Sequence, residues 1–356
     1  MVSYVFSTLG GICPKIILRQ HMIQKQVRKF RGRSVFYVST PLAVVNAQEA
    51  IVQLQLDTEA THLIVFDYRD DISNLIISKI KAIIDGELWG NITFHKLPTF
   101  AQRITKFFEV WKLGNSLKRV DNLFVTHNGT TMALLLIKAI KYKELILLDD
   151  GTATLALEND KNIQRSKSKG EWLLRLQPQD YTLFTIFDIN RNNRTKDIIR
   201  NTYQNLKCVN RESELENCVV FFGQPLVELG YVSQVDYLRK LKSYVEKVRS
   251  DVGAFYYVAH YFENKKNVDR VLNQLGIDER YYEMPPEWVF TKLDVKKPRY
   301  IASFASTALF TLPKLLGSAI TYESIDIQNE IQRAEIKSVF NNMHEELRSS
   351  GLVKVY

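Results

Sequence analysis

The feature that most constrains the fold of this chain is an alternation of short apolar runs with longer helical patterns, which occurs twice along the sequence. In the first half, strands are predicted at residues 35–38, 62–66, 91–97, 122–125 and 145–148. Each is followed by a segment with helical periodicity, and Pro41 stands at the first position of the first helix, where proline is favoured. Short buried strands that alternate with helices are typical of a parallel, doubly wound α/β sheet.

The same pattern returns in the second half of the chain. Strands are predicted at residues 219–222, 255–258, 281–284, 300–303 and 319–322, and the tail from 325 to 347 is strongly helical. Between the halves, residues 157–215 are polar and rich in Asn, Lys and Arg. The sequence therefore predicts two Rossmann-like domains that face each other across a cleft.

These patterns divide the chain of 356 residues into five segments, a length that suits two domains. A basic extension covers residues 1–33, and the first Rossmann-like domain covers 34–156. A linker or insertion follows at 157–215, then the second Rossmann-like domain at 216–324, and a C-terminal helix at 325–356. Ligands of open α/β sheets bind at the carboxyl ends of the strands, so the loops there are the candidate site.

The net charge of +9 is concentrated near the N-terminus, where the basic residues are Lys15, Arg19, Lys25, Arg28, Lys29, Arg31 and Arg33. Such a segment suits an anionic membrane face, a polyanionic substrate or nucleic acid, and it equally suits a solvated leader without a specific partner.

Membrane, export and cysteine signals are weak. No run of 18 apolar residues is present, and no secretory pattern begins the sequence, which predicts a cytoplasmic protein. The cysteines Cys13, Cys208 and Cys218 have no metal-binding spacing, so we expect reduced thiols, without structural zinc or a disulfide.

The loop after the fifth predicted strand carries two adjacent acids, Asp149 and Asp150, followed by Gly151. Neighbouring carboxylates repel each other, which raises the pKa of one of them and suits a general base. A divalent-metal site or a solvated turn would fit the same residues. Gly151 permits a turn with positive φ.

Four further loops follow predicted strands. His260 ends the strand FYYV, and a histidine there can stabilise phosphate charge or protonate a leaving group. Ser303, Ser306 and Thr307 open a helix and could hold an anion at its N-terminus. Glu287 could accept hydrogen bonds from ribose, and Thr40 could contact a ligand. Each pattern alone also fits a structural histidine, a plain helix cap or a surface glutamate.

In this order, the motifs resemble those of bacterial GT-B sialyltransferases. The similarity is greatest to the lipooligosaccharide sialyltransferases of glycosyltransferase family 52, with bacterial polysialyltransferases as relatives. The matching stretches are LLDDGTATL, YYVAHYFEN and ASFASTALF. Supporting similarities are FYVSTPLAVVNAQEAI, LFTIFDIN and VVFFGQPLVELGYVSQVDYL, and together they cover residues 34–320.

The resemblance implies inverting transfer of sialic acid from CMP-sialic acid to a cell-surface glycan such as lipooligosaccharide or capsule, without a metal or other cofactor. It implies an acceptor site in the first domain and a donor site in the second. An acid of the Asp149–Asp150 pair would be the base, and His260 would assist departure of CMP. Ser306 and Thr307 would bind the phosphate and Glu287 the ribose, with Ser303, Thr40 and Gly151 as neighbours.

The sequence departs from the family pattern at one motif, because Tyr261 stands where the His-Pro motif has proline. An acid of the second half, Glu228 or Asp236, is an alternative base. A homodimer and peripheral contact with the inner membrane are further expectations.

Two other functions fit parts of the sequence. One is a GT-B glycosyltransferase that uses a UDP- or GDP-sugar, whose Ser/Thr loop would receive a diphosphate. The other is a basic nucleic-acid-binding protein, suggested by the charge and the 17 Tyr and 19 Phe residues. Most of these aromatic residues lie in apolar strands, where burial in the core is expected.

Overall fold

The computed structural model describes residues 30–67, 73–96, 103–117, 119–126, 131–149, 151–152, 154–155, 180–207, 214–282 and 284–356. Within these ranges the chain forms two parallel β-sheets with helices between the strands. The predicted pair of Rossmann-like domains is confirmed.

The first sheet has seven strands in the order β3-β2-β1-β4-β5-β6-β7. They are β1 Ser34–Val38, β2 Thr61–Asp67, β3 Asn91–Lys96, β4 Arg119–Thr126, β5 Lys141–Leu148, β6 Tyr181–Thr185 and β7 Thr195–Arg200. The helices of this part are α1 Pro41–Leu54, α2 Ser73–Ile83, α3 Arg103–Ser116, α4 Thr131–Ala139 and α5 Gln204–Lys207.

The second sheet has six strands in the order β10-β9-β8-β11-β12-β13. They are β8 Leu215–Phe222, β9 Ala254–Val258, β10 Asp278–Glu279, β11 Lys297–Ser303, β12 Thr321–Ser324 and β13 Val353–Val355. The helices are α6 Gln234–Val248, α7 Lys265–Leu275, α8 Pro286–Lys292, α9 Ala308–Leu316 and α10 Ala334–Ser350. The strand order reverses between β1 and β4 in the first sheet and between β8 and β11 in the second. Ligands of open α/β sheets bind at such switch points.

The central strands are apolar because both faces of the sheet are covered. All five residues of β1 are buried, and Phe36 stacks on Phe124 of β4 with ring centroids 4.1 Å apart. In the second sheet Phe221 of β8 packs against Tyr257 and Phe304. These ring contacts fix the registers that bring the carboxyl ends of the strands to one edge of each sheet.

The start of α1 shows how the sequence sets a local boundary next to the cleft. Thr40 is its N-cap, and the Thr40 hydroxyl accepts a hydrogen bond from the Ala43 N–H at 3.2 Å. Pro41 occupies the first turn, as predicted. The helix therefore begins directly behind β1 and presents its N-terminus at the carboxyl edge of the sheet.

The structure corrects the predicted segments 157–215 and 325–356. Strands β6 and β7 lie in the predicted linker but complete the first sheet, and β13 in the C-terminal segment pairs with β12. The strand predicted at 281–284 is wrong. Instead, the two-residue strand β10 forms the edge beside β9.

The N-terminal boundary also differs from the prediction. Phe30 is buried and packs on Phe124, so the first domain begins before residue 34. Most of the basic extension and the cysteines Cys13 and Cys208 lie outside the described residues. Cys218 is buried in the second domain, and burial raises the pKa of its thiol to about 11.

The buried Glu49 carboxylate on α1 accepts the N–H groups of Asn205 and Leu206 at 2.9 and 2.8 Å, which fixes α5 within the first domain. Other side chains join the first domain to the second. The Lys314 ammonium on α9 donates to the Ile186 carbonyl at 2.7 Å, and the Asp188 N–H donates to Glu346 on α10 at 3.4 Å. The relative position of the two sheets therefore rests on several separate contacts. No helix of the described residues is long and apolar enough to cross a membrane.

Candidate functional site

A cleft of about 400 Å³ lies where the carboxyl ends of the two sheets face each other. This volume lies in the range that is usual for small-molecule sites. The predicted site residues that line it are Thr40, Gly151, His260, Glu287, Ser306 and Thr307. The two domains therefore bring most of the predicted residues together in one cavity.

The phosphate-binding candidates lie at the N-terminus of α9, which begins two residues later than predicted. The Ser306 hydroxyl accepts the Ala308 N–H at 3.3 Å. The Thr307 hydroxyl accepts the Thr152 N–H of the first domain at 3.0 Å. The N-terminus of a helix favours negative charge, so a phosphate would be stabilised here by hydroxyl groups and by the helix dipole.

Glu287 lies at the N-terminus of α8 with its side chain almost fully buried. Its Oε1 accepts the Thr311 hydroxyl hydrogen at 2.5 Å, and burial raises the pKa of its carboxyl group. A carboxyl group that lines a cleft and has acceptor capacity beyond one hydroxyl of the protein suits recognition of a hydroxyl group of a ligand.

His260 follows β9, as predicted, and its ring is partly exposed to the cleft. Its Nδ1 accepts the Phe262 N–H at 3.2 Å, so a neutral ring carries its hydrogen on Nε2. The ring stacks on Tyr261 with centroids 4.3 Å apart, which limits its rotation. The imidazole can therefore donate from Nε2 to an oxygen atom of a ligand.

Of the two adjacent acids in the first domain, the structure describes Asp149. Asp150 lies outside the described residues. Asp149 is 2% exposed, does not line the cleft, and accepts the Ile186 N–H at 2.7 Å. Burial raises the pKa of Asp149 to about 6, although hydrogen bonds from Thr185, Ile186 and Thr154 lower it in part. The geometry therefore makes Asp149 a buried anchor of the loop and not a base that reaches the cleft.

The raised pKa of Asp149 predicts a pH-dependent stability. A carboxyl group whose pKa is higher in the folded state favours folding while protonated, so its contribution decreases as the pH rises from about 4 to 6. Wild type should therefore lose about 2 kcal/mol relative to Asp149→Asn between pH 4 and 7. Urea unfolding of both proteins at several pH values measures this difference.

Asp121 provides a control of opposite sign. The Lys143 ammonium, with the Arg33 N–H, lowers the pKa of its carboxyl group. Asp121→Asn should therefore lose stability relative to wild type as the pH rises towards 4. A constant difference between wild type and Asp149→Asn from pH 4 to 7 would contradict the assignment of Asp149.

Two other predicted residues are not brought to the cleft. Ser303 is fully buried, and its hydroxyl donates to the Phe222 carbonyl at 2.7 Å, which ties β11 to β8. Asp236 lies in the first turn of α6, where it accepts the Ser233 hydroxyl at 2.6 Å and pairs with Arg239. The Ser233 hydroxyl, followed by Arg239, lowers the pKa of Asp236. These contacts make Asp236 a helix-capping residue rather than a base.

Glu228, the other acid proposed in the second half, is exposed and receives hydrogen bonds from the Asn264 N–H at 2.9 Å and the Asn267 side chain at 2.8 Å. It joins the loops that follow β8 and β9. It does not line the cleft.

Gln224 and Lys79 also line the cleft and were not predicted from the sequence. Gln224 follows β8, and its Oε1 accepts the Ala305 N–H at 2.8 Å, which joins the loops after β8 and β11. Its position directly behind a strand was a usable signal. Lys79 on α2 donates to the Tyr282 carbonyl at 3.1 Å across the cleft. A single lysine on a helix gives no comparable signal, because its role depends on the second domain.

Comparison with known proteins identifies the fold. No protein-family profile and no curated protein matches the sequence. The structure is similar to UDP-GlcNAc 2-epimerase from Neisseria meningitidis bound to UDP-GlcNAc, with 12% identity, a TM-score of 0.50, and coverage of 91% of this chain and 86% of that one. The chain has the GT-B fold. At this identity the likeness establishes the fold alone.

Two further GT-B structures give lower scores. An α/β-galactoside α-2,3-sialyltransferase from Photobacterium phosphoreum has 13% identity, a TM-score of 0.47, and coverage of 91% of this chain and 98% of that one. The UDP-GlcNAc 2-epimerase of Methanocaldococcus jannaschii has 12% identity, a TM-score of 0.49, and coverage of 88% and 92%.

Proposed function

We propose that this GT-B protein is a glycosyltransferase that transfers sialic acid from CMP-sialic acid, with inversion, to a hydroxyl group of a cell-surface glycan. The observation that carries the proposal is the convergence of three loops of the second sheet on one cleft. His260 follows β9, Glu287 follows β10, and Ser306 and Thr307 follow β11. This set offers partners for the ribose and the phosphate of a nucleoside monophosphate.

The proposed binding mode assigns each group by its chemistry. Glu287 accepts hydrogen bonds from the ribose hydroxyls, because its carboxyl group lines the cleft and has acceptor capacity beyond the hydrogen bond from Thr311. Ser306, Thr307 and the N-terminus of α9 receive the phosphate. His260 donates from Nε2 to a phosphate oxygen and so stabilises the charge that develops on CMP as the glycosidic bond breaks.

The general base is proposed to be Asp150. Its alternatives Asp149, Asp236 and Glu228 accept hydrogen bonds from other groups of the protein and do not line the cleft, which supports this choice. An acceptor hydroxyl that enters from the first domain would transfer its proton to this carboxylate as the sugar is attacked. Contact of the basic N-terminal segment with an anionic membrane and assembly as a homodimer stay predictions from the sequence.

Nucleotide binding tests the proposed donor. CMP at about 100 times its Kd should raise the melting temperature by about 5 °C, because a ligand at that ratio stabilises by about 2.7 kcal/mol. UDP and GDP at the same concentration should have smaller effects. Release of CMP from CMP-sialic acid in the presence of a glycan acceptor is the matching activity assay.

The second candidate donor is a UDP-sugar, because the structurally similar Neisseria epimerase binds UDP-GlcNAc. Stabilisation by UDP but not CMP, together with hydrolysis of UDP-sugars but not of CMP-sialic acid, would replace the proposed donor by this one. Salt-dependent binding of RNA or DNA without CMP binding would instead favour a nucleic-acid-binding protein.

A further inference from the structure

A chain of buried and partly buried hydrogen bonds lies beneath the floor of the cleft and ends on one carboxylate, Glu263. Glu263 Oε2 accepts the His260 N–H at 2.6 Å, and Oε1 accepts the Tyr257 hydroxyl hydrogen at 2.5 Å. The Tyr257 and Tyr237 hydroxyls are 2.7 Å apart, and the Gln224 N–H donates to the Tyr237 hydroxyl at 3.3 Å. The chain therefore connects the loop that carries His260 with the loop that follows β8.

The direction of every hydrogen bond in this chain follows from the carboxylate. Because Tyr257 gives its only hydroxyl hydrogen to Glu263, Tyr237 must be the donor in the contact between the two tyrosines. Gln224 in turn donates to Tyr237. Gln224, Tyr237 and Tyr257 thus donate one after another towards Glu263 Oε1, and the His260 N–H donates to Oε2.

The network lies in direct contact with the cleft. Gly223 lines the cleft, and a Cβ atom at this position would overlap both Glu263 Oε2 and the Tyr257 hydroxyl. The Gln224 side chain extends the link to the loop of Ser306, since its Oε1 accepts the Ala305 N–H at 2.8 Å. One carboxylate thus holds the loop after β9 directly and the loop after β8 through Tyr257 and Tyr237. It reaches the loop after β11 through Gln224.

Protonation of Glu263 weakens this arrangement. A neutral carboxyl group is a poorer acceptor than a carboxylate, so the hydrogen bonds from the His260 N–H and the Tyr257 hydroxyl lose their charge-assisted strength. A hydrogen on Oε1 that points to Tyr257 would also turn the Tyr257 hydroxyl towards Tyr237, whose own hydrogen would then lose its acceptor within the chain. The loops after β8 and β9 are then held less firmly.

We propose that Glu263 is a positioning residue that holds His260 and the loop after β8 in the geometry for transfer only while its carboxyl group is ionised, so that activity increases with pH. The catalytic part of this inference rests on the function proposed above.

Burial raises the pKa of Glu263 to about 7. The nearby Glu228 carboxylate adds to this effect, whereas the hydrogen bonds from Tyr257 and the His260 N–H oppose it. Glu263 therefore changes its charge within the physiological range, which is unusual for a glutamate.

The first test follows the backbone amides of His260 and Gln224 by NMR between pH 5.5 and 8.5 in the full chain. We expect a shared titration with a midpoint near 7 in wild type. It should be absent in Glu263→Gln, and in Tyr257→Phe it should move up by about one pH unit, because a hydrogen bond to the ionised form is removed. Glu323→Gln is the matched control, since this buried glutamate also accepts from two tyrosines, Tyr244 and Tyr356.

The second test is the pH profile of transfer from CMP-sialic acid. Wild-type kcat should rise through pH 7, and Glu263→Gln should lack this rise. At pH 8 the kcat of Glu263→Gln should be about tenfold lower than that of wild type, with the donor KM changed less than twofold. Amides that do not titrate together, or an unchanged profile in Glu263→Gln, would overturn the role of Glu263. A shared titration without turnover of CMP-sialic acid would refute the donor alone, because the NMR measurement requires no substrate.

Discussion

Replacing His260 by alanine should lower the rate of sialic acid transfer by about 100-fold or more, which is the usual contribution of a positioned acid or base. The ring is held by the Phe262 N–H on Nδ1 and by stacking on Tyr261, so Nε2 is the atom that faces a ligand. Its loss removes a donor to the departing CMP and leaves the strand that precedes it intact. We expect kcat for CMP-sialic acid to fall much more than the affinity for CMP.

The control for this variant is His95→Ala, which removes a partly buried histidine on the edge strand β3, outside the cleft. It should keep wild-type turnover. Thermal unfolding should show that both variants remain folded. Near-normal turnover of folded His260→Ala would remove His260 from the mechanism.

Replacing Glu287 by glutamine should weaken CMP binding by about 100-fold, because two hydrogen bonds to a charged acceptor contribute together about 3 kcal/mol. The amide oxygen can still accept the Thr311 hydroxyl hydrogen that Oε1 accepts in wild type. The amide nitrogen then faces the cleft and offers hydrogens where the ribose requires an acceptor. Isothermal titration with CMP measures the change.

A deoxynucleotide shows whether the ribose is the group that Glu287 recognises. Wild type should bind 2′-deoxy-CMP about tenfold more weakly than CMP, whereas Glu287→Gln should bind the two with similar affinity. Glu323→Gln should behave as wild type, since Glu323 is buried among tyrosines away from the cleft. Equal discrimination between the two nucleotides in wild type and Glu287→Gln would assign Glu287 another role.

The sequence was sufficient to predict the two sheets because their central strands are buried on both faces. Strand β1 and residues 218–222 of β8 are continuous buried runs that are mostly apolar, and they therefore stand out from the helices. The outer strands lack this signal. In β7, TKDIIR mixes charged and apolar residues, and β10 contains only Asp278 and Glu279, so pairing with a neighbour defines them more than their side chains do.

For the site, the sequence predicted residues that follow strands directly and failed where function depends on distant partners. His260, Ser306 and Thr307 were found because strand ends converge at one edge of a parallel sheet. Glu263 carries no local signal, since its role requires Tyr257 from β9 and Tyr237 from α6. Asp149 was misassigned for the same reason: the Ile186 N–H that engages it lies in a segment predicted to be a linker.

The separation of the two sheets along the chain has a consequence for the order of folding. Every strand of the first sheet lies before residue 201, and every strand of the second lies after residue 214. Since domains fold as units during synthesis, the first sheet can close while the second is still emerging from the ribosome. The contacts between the domains, and with them the complete cleft, can form only once the second half has been made.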